Sequence, residues 1–162
     1  MTVPYAISPC TELDLLAAIE LLSRCAREFF FPEMGEEAQI VFLRENTVAA
    51  AQTLQAKGFV YLAAKQDAQL LGFISISPEG YIHQLFVEPD RQKQGLGRAL
   101  LAAGIAAISG ETQIDTLSVS ASNNAVRFYE TLGFVRSDEP QSWHGIPYNP
   151  MIKTLPQNPA SA

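Results

Sequence analysis

A strand that leads into a glycine-containing loop and then into a long helix is the feature that most constrains this fold. Residues 81–87 alternate as a strand does, the loop 92–97 contains two glycines, and helical periodicity then continues to about residue 109. A further strand is predicted over 112–120. A strand, a helix and a strand in this order form a right-handed crossover, so the segment predicts one parallel pair within a sheet.

The upstream segment predicts antiparallel strands. Two runs at 59–65 and 70–77 precede the strand at 81–87, and both connections are too short for a crossover. The other predicted elements are a strand at 5–8, helical stretches at 11–30 and 36–57, a short helix capped by Ser122 and ending at Gly133, and strands at 134–136 and 148–155. We therefore expect a mixed α/β fold: a mostly antiparallel central sheet of about six or seven strands, one parallel crossover, and helices on both faces.

Length and composition indicate one globular domain. The chain has 162 residues, of which 48% are hydrophobic and 17% charged, and we expect a domain at 1–155 followed by a disordered tail at 156–162. The longest apolar run, 99–108, is about half the length of a membrane-spanning helix, which predicts no membrane partner. The start of the chain lacks the pattern of a secretion signal, and two cysteines are too few for a disulfide framework or a cysteine metal site. These features predict a cytoplasmic protein without a metal.

The charge of the chain argues against one class of partner. Its net charge is −6, and such a surface repels the phosphates that dominate nucleic-acid binding. We therefore expect no nucleic-acid partner. The same acidity mildly favours cationic substrates, although it also has the simpler explanation of solubility.

The glycine loop itself has the composition of an anion site. Glycines let a backbone approach a ligand closely, and the first amides of a helix lack internal partners. Arg91, Lys93 and Arg98 add positive charge. The loop lacks the Gly-Lys-Ser/Thr ending of a Walker loop and the third glycine of a dinucleotide fingerprint. From these residues alone, a phosphate site and a glycine-rich helix start without a ligand both remain open.

Two blocks resemble a known family. The block Gln92-Lys93-Gln94-Gly95-Leu96-Gly97 resembles the Gln/Arg-x-x-Gly-x-Gly/Ala signature of the GCN5-related N-acetyltransferase (GNAT) family. Residues 122–134 resemble its Asn-x-x-Ala-x-x-x-Tyr-x-x-x-Gly-Phe block, in the family's order and spacing, with Ser122 in place of the usual asparagine. The resemblance implies a GNAT-like acyl-CoA N-acyltransferase fold and acetyl-CoA as the donor. It also makes a homodimer plausible.

The resemblance also implies roles for particular residues on the donor side. The pyrophosphate of acetyl-CoA would lie on the amides of residues 92–97, and its pantetheine arm would pair with one strand like an added strand. The implied donor-binding residues are Leu85, Phe86, Val87, Gln92, Lys93, Gln94, Gly95, Leu96, Gly97, Arg98, Ser122 and Asn124.

Two residues are candidates for proton transfer. Tyr129 matches the family tyrosine that protonates the departing sulfur, although its helical spacing also fits a core tyrosine. His83 is the candidate base because histidine titrates near neutral pH, and period-2 alternation puts it on the same face as Tyr81 and Leu85. The alternatives are a hydrogen-bonded strand histidine, or a water that acts as base with Glu79 or Tyr81.

The predicted function is therefore an N-acetyltransferase that moves an acetyl group directly to a small-molecule or peptide amine in a ternary complex. No cysteine or serine is placed as an acyl carrier. Two alternatives stay open, a non-catalytic acyl-CoA-binding regulatory module and a nucleotide-binding protein. The segment 143–148 is either an acceptor-pocket wall or a surface loop, and 29–34 is either the edge of the core or a pocket wall.

Overall fold

The computed structural model describes residues 4–110 and 113–156, and within these residues the chain forms a sheet of eight strands with five α-helices. The strands are β1 Ala6–Pro9, β2 Val60–Gln66, β3 Gln69–Ile76, β4 Tyr81–Val87, β5 Thr116–Ala121, β6 Val135–Arg136, β7 Gln141–Trp143 and β8 Ile146–Thr154. The helices are α1 Glu12–Cys25, α2 Glu36–Glu45, α3 Val48–Ala56, α4 Leu96–Ile108 and α5 Val126–Thr131.

The sheet confirms the mixed α/β prediction. Its order is β1-β2-β3-β4-β5-β8-β6, and β7 pairs with β8 beside this path. β4 and β5 run parallel and are joined by α4, whereas the other described pairs are antiparallel. The expectation of six or seven strands missed β7, a strand of three exposed residues without an apolar face.

Helices cover both faces of the sheet, and each face has its own hydrophobic core. On one face α1 and α3 pack against the sheet around Leu21, Leu22 and Phe73. On the other face α4 and α5 pack around Leu100 and Tyr129. The strand β4 lies between these two cores and is therefore held from both sides.

Helix α1 begins at a capping box and ends earlier than the sequence predicts. The Thr11 hydroxyl accepts from the Asp14 amide at 3.1 Å, and the Asp14 carboxylate accepts from the Thr11 amide at 2.9 Å. The α-helix stops at Cys25, and the predicted continuation to residue 30 is instead a π-helical turn, Ala26–Phe30. Pro32 then prevents further α-helix, because its ring would clash with the carbonyl four residues back.

Two further expectations near the C-terminus need correction. Ser122 does not cap a helix with its side chain, because its hydroxyl donates to Asn124 Oδ1 at 2.7 Å and a 3₁₀ turn, Asn123–Ala125, follows. The α-helix after this turn ends at Thr131, two residues before the predicted end, and Gly133 terminates it as expected with φ +93°. The predicted strand start at Thr112 and residues 157–162 of the predicted tail lie outside the described residues.

Candidate active site

A β-bulge in β4 determines how the site is arranged. In the pairing with β3, Ser75 lies opposite Gln84 and Ile76 lies opposite Ile82, so His83 is the extra residue. Ile82 and Leu85 consequently pack into the same core, that of α4. The prediction that His83 shares a face with Leu85 is therefore wrong. His83 and Tyr81 are nevertheless neighbours, as predicted, with ring centroids 6.3 Å apart.

Beyond the bulge, β4 has an unpaired edge. Its described parallel pairing with β5 covers Tyr81 and Ile82 and goes no further. The Glu88 amide donates to Leu71 O, and backbone groups alternate along a strand, so Leu85 and Val87 face away from β3. The Val87 carbonyl accepts from Gln92 Nε2 at 3.1 Å. The other main-chain groups of these two residues open into a cleft between β4 and β5, where an extended ligand can pair as a strand does.

The loop before α4 closes one end of this cleft with backbone amides. Gly95 has φ +83°, and a Cβ placed on it would meet no described atom within 4 Å. A Cβ on Gly97 would lie 3.1 Å from Phe128 Cζ, so glycine here lets α4 approach α5 closely. The first amides of α4 have no partner within the helix and carry its positive dipole end. The loop therefore offers open space and free donors to an anion.

The cleft continues into a cavity of about 1340 Å³. For reference, we name its lining residues from 85–98 and 119–131 the donor half, and those from 29–54, 81–84 and 143–148 the acceptor half. The two sets are in contact, because Asn123 donates to Glu33 and Tyr81 donates to Ser120. The predicted site residues that line it are His83, Leu85, Phe86, Val87, Gln92, Lys93, Gly95, Gly97, Arg98, Ser122, Asn124 and Tyr129. Two others do not: Gln94 donates from its side chain to Asp90 O, and Leu96 is buried in the core of α4.

Tyr129 lies at the inner end of the donor half. Its side chain is 4% exposed and packs edge-on against Phe128 and Phe134, with ring centroids 5.1 and 5.2 Å away. The hydroxyl reaches the cavity and makes no hydrogen bond to the described part of the chain. Burial, and to a smaller extent nearby Tyr81, raises the pKa of this phenol. The group therefore keeps its proton at neutral pH and has a free donor to offer.

His83 lies in the acceptor half, edge-on to Phe59 at 6.1 Å. Burial lowers the pKa of its imidazole, because charging a ring away from water is unfavourable. The neutral form, which can accept a proton, is thus favoured at neutral pH. Glu79, weighed above as a base acting through water, is exposed in the turn before β4 and does not line the cavity.

Other side chains of the cavity were not found from the sequence. Glu33 and Glu45 line the acceptor half, and Arg127 lines the donor half. Gln84 is buried and donates from Nε2 to Asn46 Oδ1 at 2.6 Å, which ties β4 to the end of α2. Arg127 lies within the recognisable block 122–134 and Glu33 within the segment 29–34, but neither pattern assigns these two side chains a role. Glu45 and Asn46 lie outside the recognisable blocks, and only the pairing of distant segments brings them to the cavity.

The two segments left open by the sequence both supply cavity walls. Phe29, Phe30 and Met34 line the acceptor half. Trp143, Ile146, Pro147 and Tyr148 do as well. His144 and Gly145, both at positive φ in the turn between β7 and β8, do not line the cavity. Both segments therefore supply pocket walls, and 29–34 is also an edge of the core, because Phe29 packs against the core of α1 and α3.

Two general features are absent from residues 4–110 and 113–156. No group of three His, Cys, Asp or Glu side chains is arranged to hold a metal ion there. Nor does this part of the chain contain a helix of the length and apolarity needed to traverse a bilayer.

Curated relatives match parts of the chain. An aminoglycoside N(6')-acetyltransferase type 1 from Stenotrophomonas maltophilia is 29% identical over 96 residues, which is 47% of this chain and 63% of that protein. A mycothiol acetyltransferase from Kocuria rhizophila is 36% identical over 100 residues, 54% of this chain and 31% of that protein. The chain thus spans less than two thirds of the length of these relatives.

Solved structures match almost the whole fold. The PaiA N-acetyltransferase from Thermoplasma acidophilum, in complex with coenzyme A, superposes with a TM-score of 0.78 at 18% identity, over 94% of this chain and 99% of that one. A GCN5-related N-acetyltransferase from Rhodopseudomonas palustris gives 0.75 at 23% identity, over 96% and 99%. The acetyltransferase (GNAT) domain profile matches residues 31–155, and the chain therefore belongs to the GNAT acetyltransferase family.

Proposed function

We propose that this protein transfers an acetyl group from acetyl-CoA to an amine, directly and within a ternary complex. The observation that carries the proposal is the cleft itself: the unpaired edge of β4, the amides before α4 and the Tyr129 hydroxyl all open into one cavity. The activities of the curated relatives, an aminoglycoside and a mycothiol acetyltransferase by name, point the same way.

The donor half fits coenzyme A by its chemistry. Open space at Gly95 and free amides suit a pyrophosphate, and Lys93, Arg98 and Arg127 add positive charge around it. The outward main-chain groups of Leu85 and Val87 suit the amides of a pantetheine arm. When bound, acetyl-CoA supplies an activated acyl group as a thioester.

The acceptor amine must lose a proton before it can attack. Neutralising an alkyl ammonium at pH 7 costs about 4.6 kcal/mol, because its pKa is near 10.4. We assign this task to His83, whose lowered pKa keeps the imidazole neutral and able to accept a proton. Its place beside Tyr81 in the acceptor half lets it face an amine that approaches from that side.

Tyr129 serves the other end of the reaction. Its raised pKa keeps the phenol protonated, so its hydroxyl can donate to the sulfur as negative charge develops there. Cys25 also lines the cavity, but burial raises the pKa of its thiol to about 11. A thiol that stays protonated is a poor nucleophile, which supports direct transfer rather than an acyl-cysteine.

A thiol-release assay tests the proposal. Acetyl-CoA is incubated with the protein and a panel of amines, and the binding of coenzyme A is measured separately by calorimetry. We expect thiol release that depends on both the protein and an amine. Tight binding of acetyl-CoA without release from any amine would instead support the non-catalytic acyl-CoA-binding module.

A further inference from the structure

A pair of polar side chains is buried in the sheet beside the bulge. Ser75 of β3 is 0% exposed and Gln84 of β4 is 6% exposed, and the two residues lie opposite each other in the strand pairing. The Ser75 hydroxyl donates to Gln84 Oε1 at 3.3 Å. The next pair along the same face, Phe73 and Phe86, consists of stacked phenyl rings with centroids 5.8 Å apart. Buried polar groups in such surroundings are unfavourable unless they are hydrogen-bonded, so these two side chains depend on their partners.

The second partner of Gln84 lies outside the sheet. Gln84 Nε2 donates to Asn46 Oδ1 at 2.6 Å. Asn46 directly follows α2, and its own Nδ2 donates to Phe42 O at 2.8 Å, which satisfies one of the last carbonyls of that helix. The carboxamide of Gln84 is therefore held from both ends, by β3 on one side and by the end of α2 on the other.

The place of Gln84 in β4 connects these bonds to the bulge. Gln84 directly follows His83, the extra residue of the bulge, and precedes Leu85. If β4 alternated regularly from Ile82, the side chain of Gln84 would point into the apolar core of α4, where Ile82 packs. A carboxamide without a partner is unfavourable there, whereas in the bulged strand it reaches Asn46. The side chain of Gln84 therefore favours the bulged register over the regular one.

We propose that Gln84 is a positioning residue of the active site. Its bond to Asn46 holds the β4 bulge, and the bulge in turn holds the His83 imidazole on the cavity wall and directs the main chain of Leu85 into the donor cleft. Gln84 acts through the strand on either side of it rather than through contact with a substrate. The effect on rate rests on the proposed acetyl transfer, whereas the effect on His83 is measurable without turnover.

Replacing the carboxamide with a thioether tests this assignment. Gln84→Met keeps an unbranched side chain of similar size, removes both hydrogen bonds, and makes the regular register acceptable to the core of α4. The imidazole of His83 should then become more exposed, and burial is what lowers its pKa in the folded chain. We expect this pKa to rise by about half a unit or more towards its ordinary value. Because the substitution changes no charge, such a rise reports the surroundings of the ring.

NMR titration measures the pKa of His83 directly. The chain has only two histidines, so a His144→Gln background leaves the imidazole signal of His83 alone in the spectrum. The titration is carried out on the full chain, with and without Gln84→Met in that background. It requires neither an acceptor nor turnover.

Two functional measurements should respond to the same displacement. The affinity for coenzyme A in calorimetry should fall by about threefold or more, because Leu85 no longer presents its main chain to the cleft. The value of kcat should fall by about tenfold or more, since a shift of about 1 Å in a reacting group can cost about 10²-fold. The acid limb of the kcat/KM profile should move to higher pH together with the pKa of His83, which a loss of stability alone would not cause.

A second variant breaks the same bond from its other end. Asn46→Leu removes the acceptor of Gln84 Nε2 at a half-buried position outside the sheet, and it should raise the pKa of His83 as Gln84→Met does. The double variant Gln84→Met/Asn46→Leu should match Gln84→Met, because the shared bond can be lost only once.

Gln39→Met is the matched control. Gln39 Nε2 also makes hydrogen bonds, to Phe31 O at 3.3 Å and to Met34 O at 3.0 Å, but the residue does not line the cavity. The same substitution there removes two hydrogen bonds of a glutamine in α2 without a contact to β4. It should leave the pKa of His83 and the affinity for coenzyme A unchanged.

The outcomes separate this inference from the proposed function. An unchanged pKa of His83 in both Gln84→Met and Asn46→Leu would overturn the inference and leave acetyl transfer intact. An equal rise in Gln39→Met would also overturn it, because the rise would then report general loosening. Absence of thiol release with every amine would overturn the proposed function, and the NMR titration would still decide whether Gln84 holds the bulge. If circular dichroism shows that Gln84→Met does not fold, the titration of Asn46→Leu decides alone.

Discussion

Replacing Tyr129 with phenylalanine removes a single oxygen atom from the inner end of the cleft. The hydroxyl has no hydrogen bond to the described residues, so its loss leaves no buried partner unpaired. We therefore expect Tyr129→Phe to change the free energy of unfolding by less than about 1 kcal/mol. Loss of a general acid typically lowers the rate by about 10² to 10⁴, which corresponds to roughly 2.7 to 5.4 kcal/mol of activation free energy.

The chain provides a matched control for this variant. Tyr61 is 3% exposed, its buried hydroxyl has no partner among the described residues, and it does not line the cavity. Tyr61→Phe therefore removes a similar atom from a similar environment away from the cleft. We expect it to leave kcat and coenzyme A affinity unchanged, so that any loss specific to Tyr129→Phe reflects chemistry rather than packing.

The assay must isolate the chemical step. Single-turnover acetyl transfer is followed across pH for the wild-type protein and both variants, and the dissociation constant of coenzyme A is measured by calorimetry. Since the pKa of Tyr129 is raised, the wild-type rate should not fall through loss of this proton until above the ordinary tyrosine value near 10. A Tyr129→Phe rate within about twofold of wild type, with chemistry limiting, would remove Tyr129 from the mechanism.

Three other perturbations probe the donor loop and the base. Gly95→Ala should cost about 1–2 kcal/mol of folding free energy, since its φ is +83°. It should also weaken coenzyme A binding by at least about tenfold, as its methyl group enters the open space at the loop; unchanged affinity in calorimetry would argue against a phosphate site there. Arg24→Ala breaks a bidentate pair with Glu88, at 2.6 and 3.0 Å, that fixes the end of β4. Because Arg24 is 55% exposed, urea unfolding should show a loss below about 1 kcal/mol while donor affinity falls by about threefold; equal affinity would deny the pair a positioning role. Burial lowers the pKa of His83 in the folded chain. The free energy of unfolding should therefore keep its full value above about pH 6.5, the ordinary imidazole pKa, and fall as the pH drops from there towards the lowered pKa. It falls because the unfolded chain binds the proton first. Thermal unfolding between pH 5 and 7 should show this slope, and a His83→Gln variant with the same slope would contradict it.

The elements with strong local signals were predicted well. The strand at 81–87 has the bounds that the sequence predicts, and α4 begins within the glycine loop as expected. In both cases the signal lies in neighbouring residues: alternating apolar side chains in the strand, and glycine followed by helix-forming residues in the loop. Gly95 adopts the left-handed conformation that its residue type permits at low cost.

The acceptor half was predicted poorly because its residues meet only through tertiary structure. Glu33 and Asn123 are 90 positions apart, and neither lies in a periodic segment that would identify it. The π-helical turn before Glu33 is likewise invisible to helical periodicity, which continues smoothly through residue 30. Proline at 32 signals that the helix ends, but it does not reveal which way the following phenylalanines face.

The bulge at His83 was the most consequential feature that alternation could not predict. The Ser118 amide donates to Gly80 O, so even-numbered backbone groups face β5 at the start of the strand. Past the extra residue, the odd-numbered Leu85 and Val87 face that side instead. A regular strand would also direct Gln84 into the apolar core of α4, whereas the bulge brings its amide to Asn46. One inserted residue thus places an imidazole on the cavity wall and turns the main chain of Leu85 and Val87 towards β5, so both features of β4 have the same structural origin.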